Sequence, residues 1–404
     1  MQSHNQNSLK YLFFTFLKIG ATSWGGFMAL ISVVQKQVVE KDKRIENETL
    51  LEGISLASVL PGPIAFNVVT FVGYKLKGFR GALVSMAGIL LPSFLMMLLL
   101  SFLYIKFGNV PSFSHFFAGV LPAVAAIIAS VALGMAKKNI NDAPQIMIAV
   151  ASAVIIALSK VYIATLAIML TSAVIGYLIY YKPSGITQNE ISVKNINKES
   201  RKISYTLSLL FILIIALILV FPSVLPKDCK HIALINQKLM VAFSGMSLSL
   251  FGGGYVVIPA MQQVVVNSMN LLSNREFADA IAMGQITPGP IFISATFIGY
   301  KVAGFWGALN ATISIFLPPG LVMIVCTRFF DKIRNSAVIL SIFKGLRPAI
   351  IGMIAAAAFT IINSNEISVK SGLLLCIFML LSIRYKADPV FLIPVAGIIG
   401  LLIF

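Results

Sequence analysis

Apolar stretches of at least about 18 residues recur along this chain from one end to the other. Each is long enough to cross about 30 Å of hydrocarbon as a helix. In lipid every backbone amide and carbonyl must be paired internally. Runs this long meet that demand as helices, since barrel strands alternate in character over about ten residues. Hydrophobic residues make up 58% of the 404 and charged residues 11%, and the mean hydropathy is +0.93. A soluble domain needs about a quarter of its residues charged. The chain is therefore expected to be an all-α integral membrane protein.

The net charge of +17 does not point to nucleic acid, because the basic residues lie in the short loops between apolar runs. Thirteen apolar segments can be marked. Six fall in residues 9–181, forming a first repeat; a polar linker, expected to be cytoplasmic, occupies 182–202. A plain connecting transmembrane helix spans 203–225, and six more segments fill a second repeat at 233–404. The polar start, Met1 to Lys10, runs into an apolar stretch too long for a secretory signal, so the first segment reads as uncleaved. Cys229, Cys326 and Cys376 lie far apart, and His4, His115 and His231 have no nucleophile-like surroundings. That pattern favours neither a metal centre nor an enzyme, and no cofactor is expected.

The two halves repeat one another. The string PGPIAFNVVTFVGYKLKGFRGAL from Pro61 returns as PGPIFISATFIGYKVAGFWGAL from Pro288. With one residue dropped, roughly 18 of about 31 aligned pairs are identical. Further matches join Trp24-Gly25-Gly26 to Phe251-Gly252-Gly253 and Gly119–Pro122 to Gly345–Pro348. Six segments plus one connector put matched segments seven apart, which predicts opposite passage through the membrane. With the N-terminus inside, the loops hold about 19 Lys and Arg on the cytoplasmic side against about 11 outside. The expected architecture is thus two inverted-topology repeats of about six transmembrane or re-entrant segments, a design recurrent in transporters. If one segment per repeat re-enters instead of spanning, parity flips and the halves run parallel.

Each repeat carries two helix-breaking sites. One is glycine-rich, with Gly25 and Gly26 in the first half and Gly252, Gly253 and Gly254 in the second. The other is Pro-Gly-Pro, at Pro61, Gly62 and Pro63 and at Pro288, Gly289 and Pro290. Proline lacks an amide hydrogen and clashes with the preceding turn. A helix restarting after such a break offers uncommitted amides and a positive dipole end, suited to an anion. Glycine packing and ordinary proline kinks are the competing explanation. Polar side chains gather at the breaks: Asn67 and Thr70, Tyr255, Gln285 and Thr287, Ser294 and Thr296. They can donate to a tetrahedral anion, or simply bond helix to helix.

Lys75 and Lys301 hold matched places in Gly-Tyr-Lys, either drawing an anion to the mouth or snorkelling at the flank. Arg347 precedes Pro348, read as a helix start, where its counterpart is Leu121. Glu52 and Asp279 match one another ahead of the breaks and are the candidates for carrying a proton. The competing reading is helix capping: Thr49-Leu-Leu-Glu52 fits a capping box, and so does Ser273-Asn-Arg-Glu276 just ahead of Asp279.

SWGGF at Ser23, the two Pro-Gly-Pro strings and FGGGYVVIP at Phe251 make the chain resemble the chromate ion transporter family in its long, two-domain form. The resemblance covers essentially everything outside the linker and the termini. It implies a multi-pass protein of the cytoplasmic membrane that exports chromate, a tetrahedral dianion shaped like sulfate, using the proton gradient or anion exchange. The motif residues it carries over are the glycine and Pro-Gly-Pro sites, Tyr255, Gln285, Thr287 and the two Gly-Tyr-Lys triplets. Phe27-Met28 stands where the second half has Gly254-Tyr255, so the halves are not equivalent. Other readings to be separated are transport of another small anion and a non-transporting sensor or assembly protein. A homodimer is compatible with the sequence.

Overall fold

The computed structural model describes residues 9–23, 26–108, 110–159, 162–181, 227–249, 254–327, 337–363, 369–385, 387 and 389–404. The expected linker (182–202) and connecting helix (203–225) lie outside them. So do Gly25, Gly252 and Gly253.

Among the described residues the structure is helical, without strands. The first half holds α1 (Leu9–Thr22), α2 (Gly26–Val34), α3 (Asn47–Val59), α4 (Ile64–Phe107), α5 (Pro111–Asn139), α6 (Ala143–Leu158) and α7 (Tyr162–Tyr180). The second holds α8 (Lys227–Ser249), α9 (Val257–Gln262), α10 (Asn274–Ile286), α11 (Ser294–Cys326), α12 (Ala337–Asn363), α13 (Val369–Arg384) and α14 (Pro389–Ile403). Among the described residues each half thus shows seven helices where six apolar segments were expected, because two segments are each divided in two and α4 and α11 each join the second part of a divided segment to the one after it.

The repeat extends to irregular backbone. Wide π turns occupy Gln35–Lys41 and Gln263–Ser268, and the amide of Gln35 reaches Asn47 (3.3 Å) as that of Gln262 reaches Asn274 (3.0 Å). Lys43 and Asn270 share a left-handed φ of 48° and 49°. Both long helices fold at matched glycines, Gly78 with φ 60° and Gly304 with φ 61°. Glycine is required there, since a side chain at such angles costs roughly 1–2 kcal/mol.

These folds are sharp reversals. The hydroxyls of Thr296 and Thr312 are 2.7 Å apart, although 16 residues of straight helix would separate them by about 24 Å. In α4 a Cβ on Gly73 would meet Ser85 Oγ at 2.5 Å. The arm 64–76 therefore lies back along the arm 79–107. The Pro-Gly-Pro breaks reverse the chain as well. A Cβ on Gly53 would meet the Phe71 ring at 2.5 Å, and Glu52 pairs with Lys75 at 3.8 Å. Residues on either side of Pro61–Pro63 thus return to the same level, so α3 and the arm 64–76 form a hairpin with Pro-Gly-Pro at its tip. The glycine break does likewise in the first half: Tyr11, near the start of α1, donates to Asp42, just beyond α2. In the first half two segments thus fold back on themselves, at the glycine site and at Pro-Gly-Pro.

Contacts along α4 set the relative course of the halves. Ser93, midway along its long arm, donates to the carbonyl of Pro288 at the second tip. Tyr104, about 16 Å further along, bonds Asp279, which lies back toward the open end of α10. So α10 runs against the long arm of α4, whereas α3 runs with it.

The last helices are exchanged between halves. α12 packs on α6 and α7, and α5 packs on α13 and α14. Matched glycines permit these close crossings: a Cβ on Gly345 would strike Ser172 O, and one on Gly119 would strike Ala396 O. The exposed side chains of the outer helices include Phe14, Met147, Leu158, Leu178, Phe391 and Leu402. So much apolar surface suits lipid rather than water. Four described spans are long and apolar enough to cross a membrane: Ile64–Phe107, His115–Asn139, Ile291–Cys326 and Leu340–Ile362.

Candidate functional site

Both Pro-Gly-Pro sites break the helix as the sequence leads one to expect. The chain turns extended at Leu60 and Thr287, enters the left-handed region at Gly62 (φ 96°) and Gly289 (φ 108°), and resumes as helix at Ile64 and Ile291. A prolyl ring next to a glycine free to adopt positive φ gives this turn at little strain.

Each tip docks on the long helix of the opposite half. A Cβ on Gly62 would overlap the Pro319 ring, and one on Gly289 would lie 2.5 Å from Ser93 Oγ. Phe316 of α11 packs at a tilt against Phe66 at 5.1 Å and Phe292 at 6.1 Å, one ring following each tip. The second tip also meets the first glycine break, with the Gly289 amide donating to Ser23 O at 3.2 Å. Three of the four interruptions are thereby joined within the described residues.

The polar candidates divide into satisfied and unsatisfied groups. Thr70 and Ser294 bond carbonyls of their own helices, at Phe66 (2.9 Å) and Ile291 (2.9 Å). Thr287 caps back to Gly284 O (3.0 Å), and Thr296 ties the two arms of α11 together. These four hold the fold. Asn67 donates to Pro61 O (2.9 Å), closing the first tip, but its Oδ1 has no partner. Tyr255 donates to Gln285 Oε1 (3.2 Å), leaving Gln285 Nε2 unpaired. Ser23 Oγ is unpaired as well. All three side chains are buried, and each lies at or within a few residues of a break. Buried polar atoms are rarely left unpaired without a water or ligand to meet them. Ser23 and Ser93 were not singled out beforehand. Ser23 lies in the SWGGF motif, and Ser93 follows the repeated Leu-Pro pair, which were the available signals.

Lys75 and Lys301 each pair with a carboxylate, Glu52 and Glu276 respectively. Two expectations are corrected. The Thr49–Glu52 capping box does not form: α3 starts at Asn47 after Glu46, with no side-chain cap. The Ser273–Glu276 box does form, with both reciprocal bonds. Arg347 is not at a helix start but exposed inside α12, over the Phe343 ring at 5.9 Å. Among the described residues no cluster of His, Cys, Asp or Glu could hold a metal.

Re-entrant tips buried between exchanged helices, inside a lipid-compatible exterior, define a multi-pass membrane protein of transporter type. Comparison with known sequences narrows the class. The family model for the chromate transporter matches residues 10–177 and 237–401, and the chain belongs to that family. It is 29% identical over 387 residues to an uncharacterized transporter of Methanocaldococcus jannaschii, covering 96% of this chain and 92% of that one. To the chromate transport protein of Cupriavidus metallidurans it is 28% identical over 404 residues, covering 98% and 94%. A probable chromate transport protein of Synechococcus elongatus is 30% identical over 358 residues, covering 88% and 84%. No solved structure matches the chain significantly.

Proposed function

We propose that this protein is a secondary transporter of a tetrahedral oxyanion, chromate with sulfate as its structural analogue. It would work at the cytoplasmic membrane by alternating access around the hairpin tips. The observation that carries this reading is the set of unpaired buried polar atoms, Ser23 Oγ, Asn67 Oδ1 and Gln285 Nε2, beside tips that enter from opposite ends. Gln285 Nε2 offers a donor to an anion oxygen, Ser23 can do the same, and the restarting helices add positive dipole ends. Asn67 Oδ1, an acceptor, would meet a substrate hydroxyl or a water. Energetically, a dianion needs such fixed donors because a bare charge in hydrocarbon costs far more than any single bond returns.

Two nearly symmetric halves support exchange between inward-open and outward-open states, with efflux driven by the proton gradient or by counter-anion. Eight Lys and Arg residues cluster near the open ends of the first-half hairpins, from Lys10 to Arg80, leaving aside Lys18 inside α1. Lys106 stands alone at the far end of α4. By the positive-inside rule the first-half hairpins open to the cytoplasm, the N-terminus lies there, and the second-half hairpins open outward. Flux of labelled chromate and sulfate into proteoliposomes, under imposed pH and sulfate gradients, tests the proposal. Saturable uptake of either anion that the other competes away is expected. Absence of flux for both, from folded protein, would leave the sensor or assembly reading in its place.

A further inference from the structure

Glu52 and Asp279 hold equivalent positions, yet their surroundings differ in kind. Glu52 is half-exposed and paired with Lys75, the side chains being 38% and 41% accessible. The equivalent lysine, Lys301, is taken by Glu276 instead. Among the described residues Asp279, 1% exposed, forms no salt bridge and accepts the Tyr104 hydroxyl at 2.7 Å on Oδ2, while Oδ1 has no hydrogen-bond partner. The Tyr104 ring is walled by Phe117 (5.4 Å) and Phe297 (5.1 Å), both edge-on.

The charged and titratable groups around it are few. On α10 itself Arg275 and Glu276 lie one turn toward the open end; Lys301 of α11 is bound to Glu276. On α4, Lys106 lies over the rings of Phe102 (5.6 Å) and Phe107 (5.5 Å). On α5, His115 sits in the first turns and Lys137 and Lys138 at the far end; α12 brings Lys344 and Arg347; α9 and α14 bring none. A carboxylate so enclosed, with one oxygen unbonded, Arg275 exposed a helical turn away and Lys301 bound to Glu276, is disfavoured relative to the neutral acid.

We propose that Asp279 is the single proton-carrying residue of the transport cycle, and that Glu52 is not one. One proton from the side facing the second-half hairpin joins an Asp279 carboxylate oxygen. It leaves as a proton when movement of α10 relative to α4 separates Asp279 from Tyr104 and opens the carboxylate to water. Because Tyr104 and Asp279 belong to different halves, protonation and the relative position of the halves are coupled. This inference rests on the transport reading, and the coupling ion it names is H⁺, one per turnover.

The test uses purified full-length protein in proteoliposomes, with labelled chromate, under two conditions. Without a pH gradient, chromate-for-chromate exchange is measured; with one, net accumulation is measured. Asp279→Asn should keep exchange within about threefold of wild type and lose at least about tenfold of the gradient-driven accumulation. Glu52→Gln should keep both. Tyr104→Phe should keep accumulation and move its pH midpoint. Gradient-driven accumulation surviving in Asp279→Asn, or lost in Glu52→Gln, overturns the assignment. A second readout needs no flux. Wild-type protein in detergent at neutral pH should show an infrared carboxylic-acid C=O band that Asp279→Asn removes and Tyr104→Phe shifts. If Asp279→Asn fails to fold, the Tyr104→Phe shift decides. Lack of the band overturns the proton site, whereas its presence without any chromate or sulfate flux overturns the transport reading alone.

Discussion

The two Pro-Gly-Pro hairpins share a backbone and differ in their wiring. Their left-handed glycines, the reversals at Gly78 and Gly304 and the docking of each tip on the opposite long helix occur at matched positions. The ion pairs are not. In the first half the lysine at the hairpin's open end takes the acid nearer the tip; in the second it takes the acid one turn further out. A single displaced partner leaves one carboxylate at the surface and buries the other. Duplication supplied a repeated scaffold, and a few side-chain changes gave its halves different ion pairs.

The largest expected effect tests what the tips share. Gly289→Leu should reduce chromate or sulfate flux to background while membrane abundance is kept, because its φ excludes a side chain and Ser93 fills the space. Wild-type flux from it would remove the tip from the mechanism. Alanine sharpens the contrast between halves. Gly62→Ala should lower the thermal midpoint more than Gly289→Ala, since Pro319 is rigid while the Ser93 hydroxyl can rotate away. Both substitutions carry the same backbone penalty of about 1–2 kcal/mol, so the difference between them reports the neighbour.

A smaller difference is expected at the hairpins' open ends. Ser273→Ala should cost about 1 kcal/mol by removing a formed capping box. The change at the equivalent N-cap, Glu46→Ala, removes a side chain that makes no capping bond and should stay within about 0.5 kcal/mol. Equal losses in denaturant or thermal unfolding would mean the two starts are alike after all. Smallest are the lysines. Lys301→Ala should cost no more than about 1 kcal/mol and Lys75→Ala less, since the Lys75 pair is longer and more exposed. Both losses should shrink in high salt.

Much of this was legible in the chain. Pro-Gly-Pro dictates a break through local sterics alone, and both breaks fall where the motif stands. The reversals at Gly78 and Gly304 were not expected, because they depend on the meeting of Gly73 with Gly81 and of Gly299 with Gly307. Lys75 and Lys301 read alike in sequence because their local strings are alike. Their partners come from another helix and are chosen by which carboxylate reaches them. Thr49 looked like a cap because the motif fits; the helix instead begins two residues earlier.

By itself the sequence determined the membrane class, the duplication and the two Pro-Gly-Pro interruptions. Each follows from properties local to the chain: hydropathy over a span, identity between strings, the fixed φ of proline and the missing side chain of glycine. Tertiary structure decided that the interrupted segments fold back, that α5 and α12 dock on the other half's last helices, and that Asp279 meets Tyr104. Those outcomes depend on contacts between residues distant in sequence, where closeness in space is set by packing and no local pattern records it.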